Sequence, residues 1–403
     1  MTVKSLDDTL KIIRGAFHPL TPGEPETVPL HMAAGRVLAL DITAREDNPP
    51  FNRSSLDGYA IRAADTFGAG ESIPAMLTPS GEVLINKIPQ ISLLPGHSMY
   101  IPTGGCLPEG ADAVAMIEIA EVFGGNVLVL SQVAPGTGIV FRGEDTKAGE
   151  TVIREGEVLS SRHIGALAAL GYGTVPVRKR LICAVISTGN ELLPIESPLV
   201  DGATRDVNSH LLRSQLEAFG CEARVFDICP DDETALSAVV RDACELCDVV
   251  LVSGGSSVGV MDLTKRVFQQ TAEILVHGIA VKPGKPTIIA KAEDKALIGL
   301  PGHPVSAFFV MLEVVRPLIN SLRGLTDAPQ PTVTAKLADK VPSNHGREDL
   351  IPISLNTQDM TAHAVPYKSG LITLLTRSDG YIRVPRFTEG LDKGAEVQVL
   401  RYI

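Results

Sequence analysis

Three carboxylates, two lysines and one glycine-serine turn are the residues of this 403-residue chain whose types and spacing could do chemistry together. Glu191 stands in STGNEL, Asp231 in CPDD and Asp262 at the end of DVVLVSGGSSVGVMD, all at turns beside short apolar runs. Oxygen donors in that number suit Mg²⁺, and a cation beside lysines suits a phosphate ester. The lysines, Lys282 and Lys285, come from VKPGKP, where prolines fix a bend that projects two point charges suited to an oxyanion. The last piece is the turn Ser253, Gly254, Gly255, Ser256, Ser257. Glycine lets backbone approach a ligand, serine adds hydroxyl donors, and the helix that starts after them presents free N–H groups to negative charge. Taken singly, each feature has a plainer reading: a surface carboxylate, two solvated lysines, a tight strand-to-helix connection.

The surrounding elements decide between the readings. From Arg178 to about Arg323 strands alternate with helices: LICAVIS, SHLLRSQLEAFG, EARVFDI, ETALSAVVRDACELC, DVVLVSG, LTKRVFQQ and finally VSAFFVMLEVVRPLI. Such alternation predicts right-handed crossovers and a mostly parallel sheet covered on both faces, with ligands beyond the carboxyl ends of the strands. STGNEL, the acidic turn at Asp231, the serine-glycine turn and LPGHPVSA, with Pro301, His303 and Ser306, all fall there. Their coincidence favours a ligand.

The rest of the chain is more broken. Ser5 to Phe17 reads as a capped amphipathic helix, and a second helix is expected from about His31 to Leu40. Pro49-Pro50 forbids helix, and Asp57-Gly58 signals a tight turn into a strand. Tyr59 to about Arg142 shows short runs broken by Gly and Pro, a pattern of antiparallel strands, with Thr103 beside two glycines and a later acidic turn ending at Asp145. A helix follows from Ser160 to Leu170. From about Leu325 short strands return and predict a small β-barrel or sandwich.

A net charge of −11 without a basic run argues against nucleic-acid or anionic-membrane partners, so an anionic ligand must be held by local lysines and backbone. No apolar run approaches a membrane span and the N-terminus is not signal-like, which predicts a cytoplasmic protein. Six cysteines without regular spacing fit reduced thiols, and Cys244-Glu-Leu-Cys247 reads as part of a helix face rather than as a zinc site.

PPFNRSSLDGYA, TGGCLPEGADAV, RGEDTKAGE, STGNEL, SGGSSVGVMD, KPGKP and LPGHPVSA, in this order and spanning almost the whole chain, resemble the MoeA family of molybdopterin molybdenumtransferases, to which the gephyrin C-terminal domain is related. The resemblance implies a multidomain α/β plus β fold: an elongated, discontinuous N-terminal helical and extended domain at 1–46 and 144–177, an inserted β-rich domain at 47–143, a central three-layer α/β domain with a mostly parallel sheet at 178–324, and a C-terminal β-barrel at 325–403. It implies a homodimer and a Mg²⁺-dependent reaction in which adenylylated molybdopterin and molybdate give molybdenum cofactor and AMP. A contact with the molybdopterin adenylyltransferase fits that chemistry. Carried onto this chain, the resemblance assigns Glu191, Asp231 and Asp262 to metal and pyrophosphate, and Lys282 and Lys285 to the oxyanion. Asp57, Thr103 and Asp145 would come from the second subunit. Gly254, Gly255, Ser256, Ser257, Pro301, His303 and Ser306 would line the pterin or molybdate pocket. Three departures stand out: His303 where Asn is frequent, Asn190 for a frequent Asp, and Leu56 for a frequent Met. Imidazole titrates near neutrality, so His303 could change the pocket's charge. Tungstate insertion, molybdopterin adenylylation and a non-catalytic scaffold are the competing functions; the acidic turn residues that a scaffold would lose are present.

Overall fold

The computed structural model describes residues 3–20, 24–254, 258–326, 329–343, 345–366 and 368–402. The chain forms two compact units, one of residues 1–24 with 179–403 and one of residues 25–178.

In the first unit, helix α1 (Leu6–Ala16) is capped by the Ser5 hydroxyl, which accepts from the Asp8 backbone N–H, with Asp7 and Asp8 in the positive first turn. Its Leu6 and Ile13 enter the core of the α/β part. Helix α1, which the resemblance places in the domain of 1–46 and 144–177, lies in the compact unit that also holds residues 179–403. The α/β part then runs β1 (Ile182–Thr188), α2 (Asn208–Ala218), β2 (Glu222–Val225), α3 (Glu233–Leu246), β3 (Val249–Gly254), α4 (Val258–Thr271), β4 (Glu273–His277), β5 (Ile288–Ala292), β6 (Lys295–Leu300), α5 (Pro304–Val310) and α6 (Arg316–Arg323). The sheet order is β2-β1-β3-β6-β5-β4, and only the pairings of β5 with its two neighbours are antiparallel.

Successive residues of a strand point to opposite faces. Cys183 and Val185 accordingly face an apolar cluster with α1, α2, α5 and α6, while Ala184 and Ile186 face one with α3 and α4. That double burial is why β1 and β3 read as unbroken apolar runs. Cys244 and Cys247 belong to the second cluster. A π-helical turn, Met311–Val315, joins α5 to α6. The combined helix Pro304–Arg323 is long and apolar enough for a membrane span, which the sequence pattern did not lead us to expect. It is the central helix of the core, with 72% of its most apolar window buried.

Five strands, Thr332–Leu337, Glu348–Asn356, Thr361–Ala364, Gly380–Val384 and Glu396–Arg401, close on themselves, which makes the C-terminal part a barrel rather than a sandwich. Its interior holds Leu337, Ile353, Ile382 and Val399. Val281–Lys282 extends the barrel by pairing with Glu348 and Asp349.

The second unit has a six-stranded sheet in the order 113–116, 58–61, 97–101, 75–82, 126–129, 120–123. It is not wholly antiparallel as expected: Ala75–Glu82 runs parallel to His97–Ile101, because the intervening segment returns by a long loop instead of a hairpin. The helix expected from His31 to Leu40 is absent too. Only a 3₁₀ turn, Leu30–Met32, forms. Gly35 takes a φ of 76°, outside the helical region, and Val37 and Leu38 then bridge Val158 and Val177. The helix Ser161–Ala169 forms with a capping box of Ser160 and His163.

Candidate functional site

A cavity of about 240 Å³ lies beyond the carboxyl ends of β1, β3 and β6. Ser187 and Thr188 close β1 and Ser253 and Gly254 close β3, and all four line it. Glu191 enters from the turn after β1, and Gly302, His303 and Pro304 enter from the turn after β6. In the turn after β1, a Cβ at Gly189 would sit 2.8 Å from the Glu191 Oε2, so a larger residue there would shift that carboxylate.

Several lining residues escaped sequence reasoning, among them Asp206, Asn208 and Ile372. Asp206 Oδ1 accepts from the Ser187 hydroxyl at 2.9 Å and from the Ser209 N–H at 3.1 Å. Asn208 Nδ2 donates to Ser253 Oγ at 2.7 Å and to the Gly302 carbonyl at 2.8 Å, tying α2 to β3 and to the turn after β6. Ile372 comes from the segment between two barrel strands. In DVNSHLL, Asp206 and Asn208 precede a helix and look like capping residues, which hides them from a rule that searches after strands.

The assigned residues divide. Glu191, Gly254 and His303 line the cavity. Asp231 stands behind it: its Oδ1 accepts from the Thr188 hydroxyl at 2.9 Å and its N–H donates to Asn190 Oδ1 at 3.1 Å. Asn190 thus ties the turn after β1 to the acidic turn. Asp262 is exposed on α4 and Pro301 and Ser306 are buried, none of them in the cavity lining. Gly255, Ser256 and Ser257 lie outside the described residues.

Lys282 borders a second cavity of about 400 Å³, with Lys340, His363 and Asp349 also in its wall. Its Nζ is 3.3 Å from Asp349 Oδ2, a carboxylate only 1% exposed that also accepts from the Ser343 hydroxyl. Lys285 is exposed and does not line this cavity.

In the second unit, Asp57 Oδ1 accepts from the Thr103 N–H at 2.7 Å and from its hydroxyl at 3.0 Å. The backbone N–H first, and the hydroxyl next, hold this carboxyl below its ordinary pKa. Asp145 Oδ2 accepts from Asn48 Nδ2 at 2.7 Å.

Among the described residues no three His, Cys, Asp or Glu side chains converge on one point, so Glu191, Asp231 and Asp262 do not form a ready-made cage. Mg²⁺ is commonly held by one or two carboxylates together with substrate phosphates and water. Glu191 and Asp206, which both line this cavity, are two carboxylates that could serve in that way.

Against known families, residues 4–171 match the MoeA N-terminal region (domain I and II), residues 184–321 a probable molybdopterin binding domain, and residues 334–402 the MoeA C-terminal region (domain IV). The molybdopterin molybdenumtransferase of Bacillus subtilis is 31% identical over 398 residues, which cover 96% of this chain and 92% of that one. Molybdopterin molybdenumtransferase 2 of Mycobacterium tuberculosis is 31% identical over 93% of this chain and 94% of its own length. The crystal structure of the molybdopterin biosynthesis MoeA protein from Pyrococcus horikoshii superposes with a TM-score of 0.86 at 33% identity, covering 100% of both chains. With fold, motif order and near full-length similarity in agreement, this chain belongs to the MoeA family of molybdopterin molybdenumtransferases.

Proposed function

We propose that the chain works in molybdenum cofactor biosynthesis by inserting molybdate into adenylylated molybdopterin, with Mg²⁺-dependent release of AMP. The observation that carries this reading is the cavity at the carboxyl ends of β1, β3 and β6, which Glu191, Asp206, Ser187 and Thr188 all line. Hydroxyls and backbone N–H groups bind phosphate oxygens. The two carboxylates would hold Mg²⁺ against the phosphoanhydride, and the ion's chemistry there is to offset charge as that bond breaks. Water adds across the phosphoanhydride, so AMP leaves with one phosphate and molybdopterin keeps the other; the two thiols of molybdopterin take up molybdenum by displacing one oxo group of molybdate, which leaves as water with their two protons.

Asp231 positions Thr188 through its hydrogen bond, and Asp262 is assigned to pyrophosphate handling from α4. Lys282 and Lys285 are the proposed molybdate ligands. In a homodimer, Asp57, Thr103 and Asp145 of a second copy complete the site. The proposed setting is the cytoplasm, with the adenylyltransferase that makes the substrate as a transient partner. Incubation with adenylylated molybdopterin and molybdate, with and without Mg²⁺, tests the reading. AMP release that needs both ions is expected. Formation of adenylylated molybdopterin from ATP without molybdate would instead place the chain one step earlier, and tungstate replacing molybdate with higher turnover would change the metal.

A further inference from the structure

The cavity is not built by the α/β part alone. Gly370 and Ile372, between two strands of the C-terminal barrel, form part of its wall. Two bonds fasten this segment to the turn after β6. The Val305 N–H donates to the Ser369 carbonyl at 3.2 Å, and His303 Nδ1 lies 2.7 Å from Ser369 Oγ. On its other side the same turn is anchored by Asn208, through the Gly302 carbonyl. The shorter bond is thus the side-chain one, and it hangs on an exposed residue that also lines the cavity.

We propose that His303 is a positioning residue: it seats Ser369 and the adjoining 370–372 segment as a wall of the cavity, so that molybdopterin affinity on the α/β part depends on the barrel. This inference rests on the proposed reading of the cavity as the molybdopterin site. An imidazole Nδ1 that accepts a hydroxyl proton when neutral can donate to the same oxygen when charged, so the clasp survives protonation. Asparagine places an amide atom where Nδ1 stands and can keep the bond, whereas alanine cannot.

Four variants of the full chain test this: His303→Ala, His303→Asn, Ser369→Ala and the double alanine. Anaerobic equilibrium binding of molybdopterin reads the cavity, and steady-state AMP release reads KM and kcat. Each single alanine is expected to weaken binding and raise KM about fivefold, the weight of one hydrogen bond. The double variant should be no worse than either single one, His303→Asn should bind like the parent, and kcat should hardly move. Losses that multiply in the double variant, an Asn variant as weak as the Ala variant, or a fall in kcat at constant KM would each overturn the positioning role. Hydrogen exchange of the Val305 amide reads the clasp without ligand: faster exchange in His303→Ala but not in His303→Asn is expected, and equal exchange in all would refute it. Should the parent chain bind no molybdopterin, the functional reading falls while the exchange result still decides the clasp.

Discussion

Asp57 shows how a single contact sets a residue's charge. Thr103 donates twice to one carboxylate oxygen, from its backbone and from its hydroxyl, and both bonds favour the ionised form. Because Thr103 binds the charged form, its contribution is present above the ordinary carboxyl range and is lost as pH falls through the lowered value. Thr103→Val removes the hydroxyl bond and leaves the backbone one. NMR titration of the Asp57 carboxyl should then show a higher pKa than in the parent, still below the unfolded value; an unchanged titration would mean that the hydroxyl contributes nothing. Glu191→Ala in the cavity and Asp262→Ala on α4 are each expected to abolish AMP release. Asp206→Asn, which keeps the hydrogen-bonding shape but removes a charge, should lower turnover at least tenfold with normal circular dichroism. Parent-like turnover in both Glu191→Ala and Asp262→Ala would favour the scaffold alternative.

At the scale of elements, most of the α/β part was legible because burial on both faces leaves a plain trace. Val249 to Val252 are all fully buried, and the run reads as a strand from composition alone. Leu251→Ala removes buried methyl groups from this strand and should cost roughly 2–5 kcal/mol in chemical denaturation. The Asp232 side chain caps α3 by accepting from the Ala235 N–H, and Asp232→Ala should cost about 1 kcal/mol, seen as faster hydrogen exchange confined to the first turn of that helix. Other elements left no such trace. Gly35 interrupts a helical pattern whose apolar residues, Val37 and Leu38, instead satisfy bridges to distant segments. The direction of Ala75–Glu82 relative to His97–Ile101 depends on the path of a loop, which side-chain alternation does not encode. Within the site, Glu191 was findable because it follows a strand, whereas Asp206 and Asn208 carry the signature of a helix start and Ile372 belongs to a distant segment between two barrel strands.

For the whole molecule, the net charge of −11 means that an anionic substrate meets local donors and lysines against an unfavourable overall field. Lys282 illustrates the point, since its charge faces the buried Asp349. The proposed homodimer makes a prediction that neither unit makes alone. If Asp57 of one copy serves the cavity of the other, the inactive variants Asp57→Ala and Glu191→Ala should regain activity when their subunits are exchanged, because one cavity of the mixed dimer is then intact. Failure of the mixed dimer to turn over would mean that Asp57 of one copy does not serve the cavity of the other. The most direct measurement remains AMP release from adenylylated molybdopterin by the purified chain, with molybdenum bound to the product quantified in parallel. The account predicts that AMP and molybdenum-loaded product appear together, only with molybdate and Mg²⁺ present, and vanish in Glu191→Ala. AMP release without molybdate, or no turnover under any combination of the ions, would contradict it.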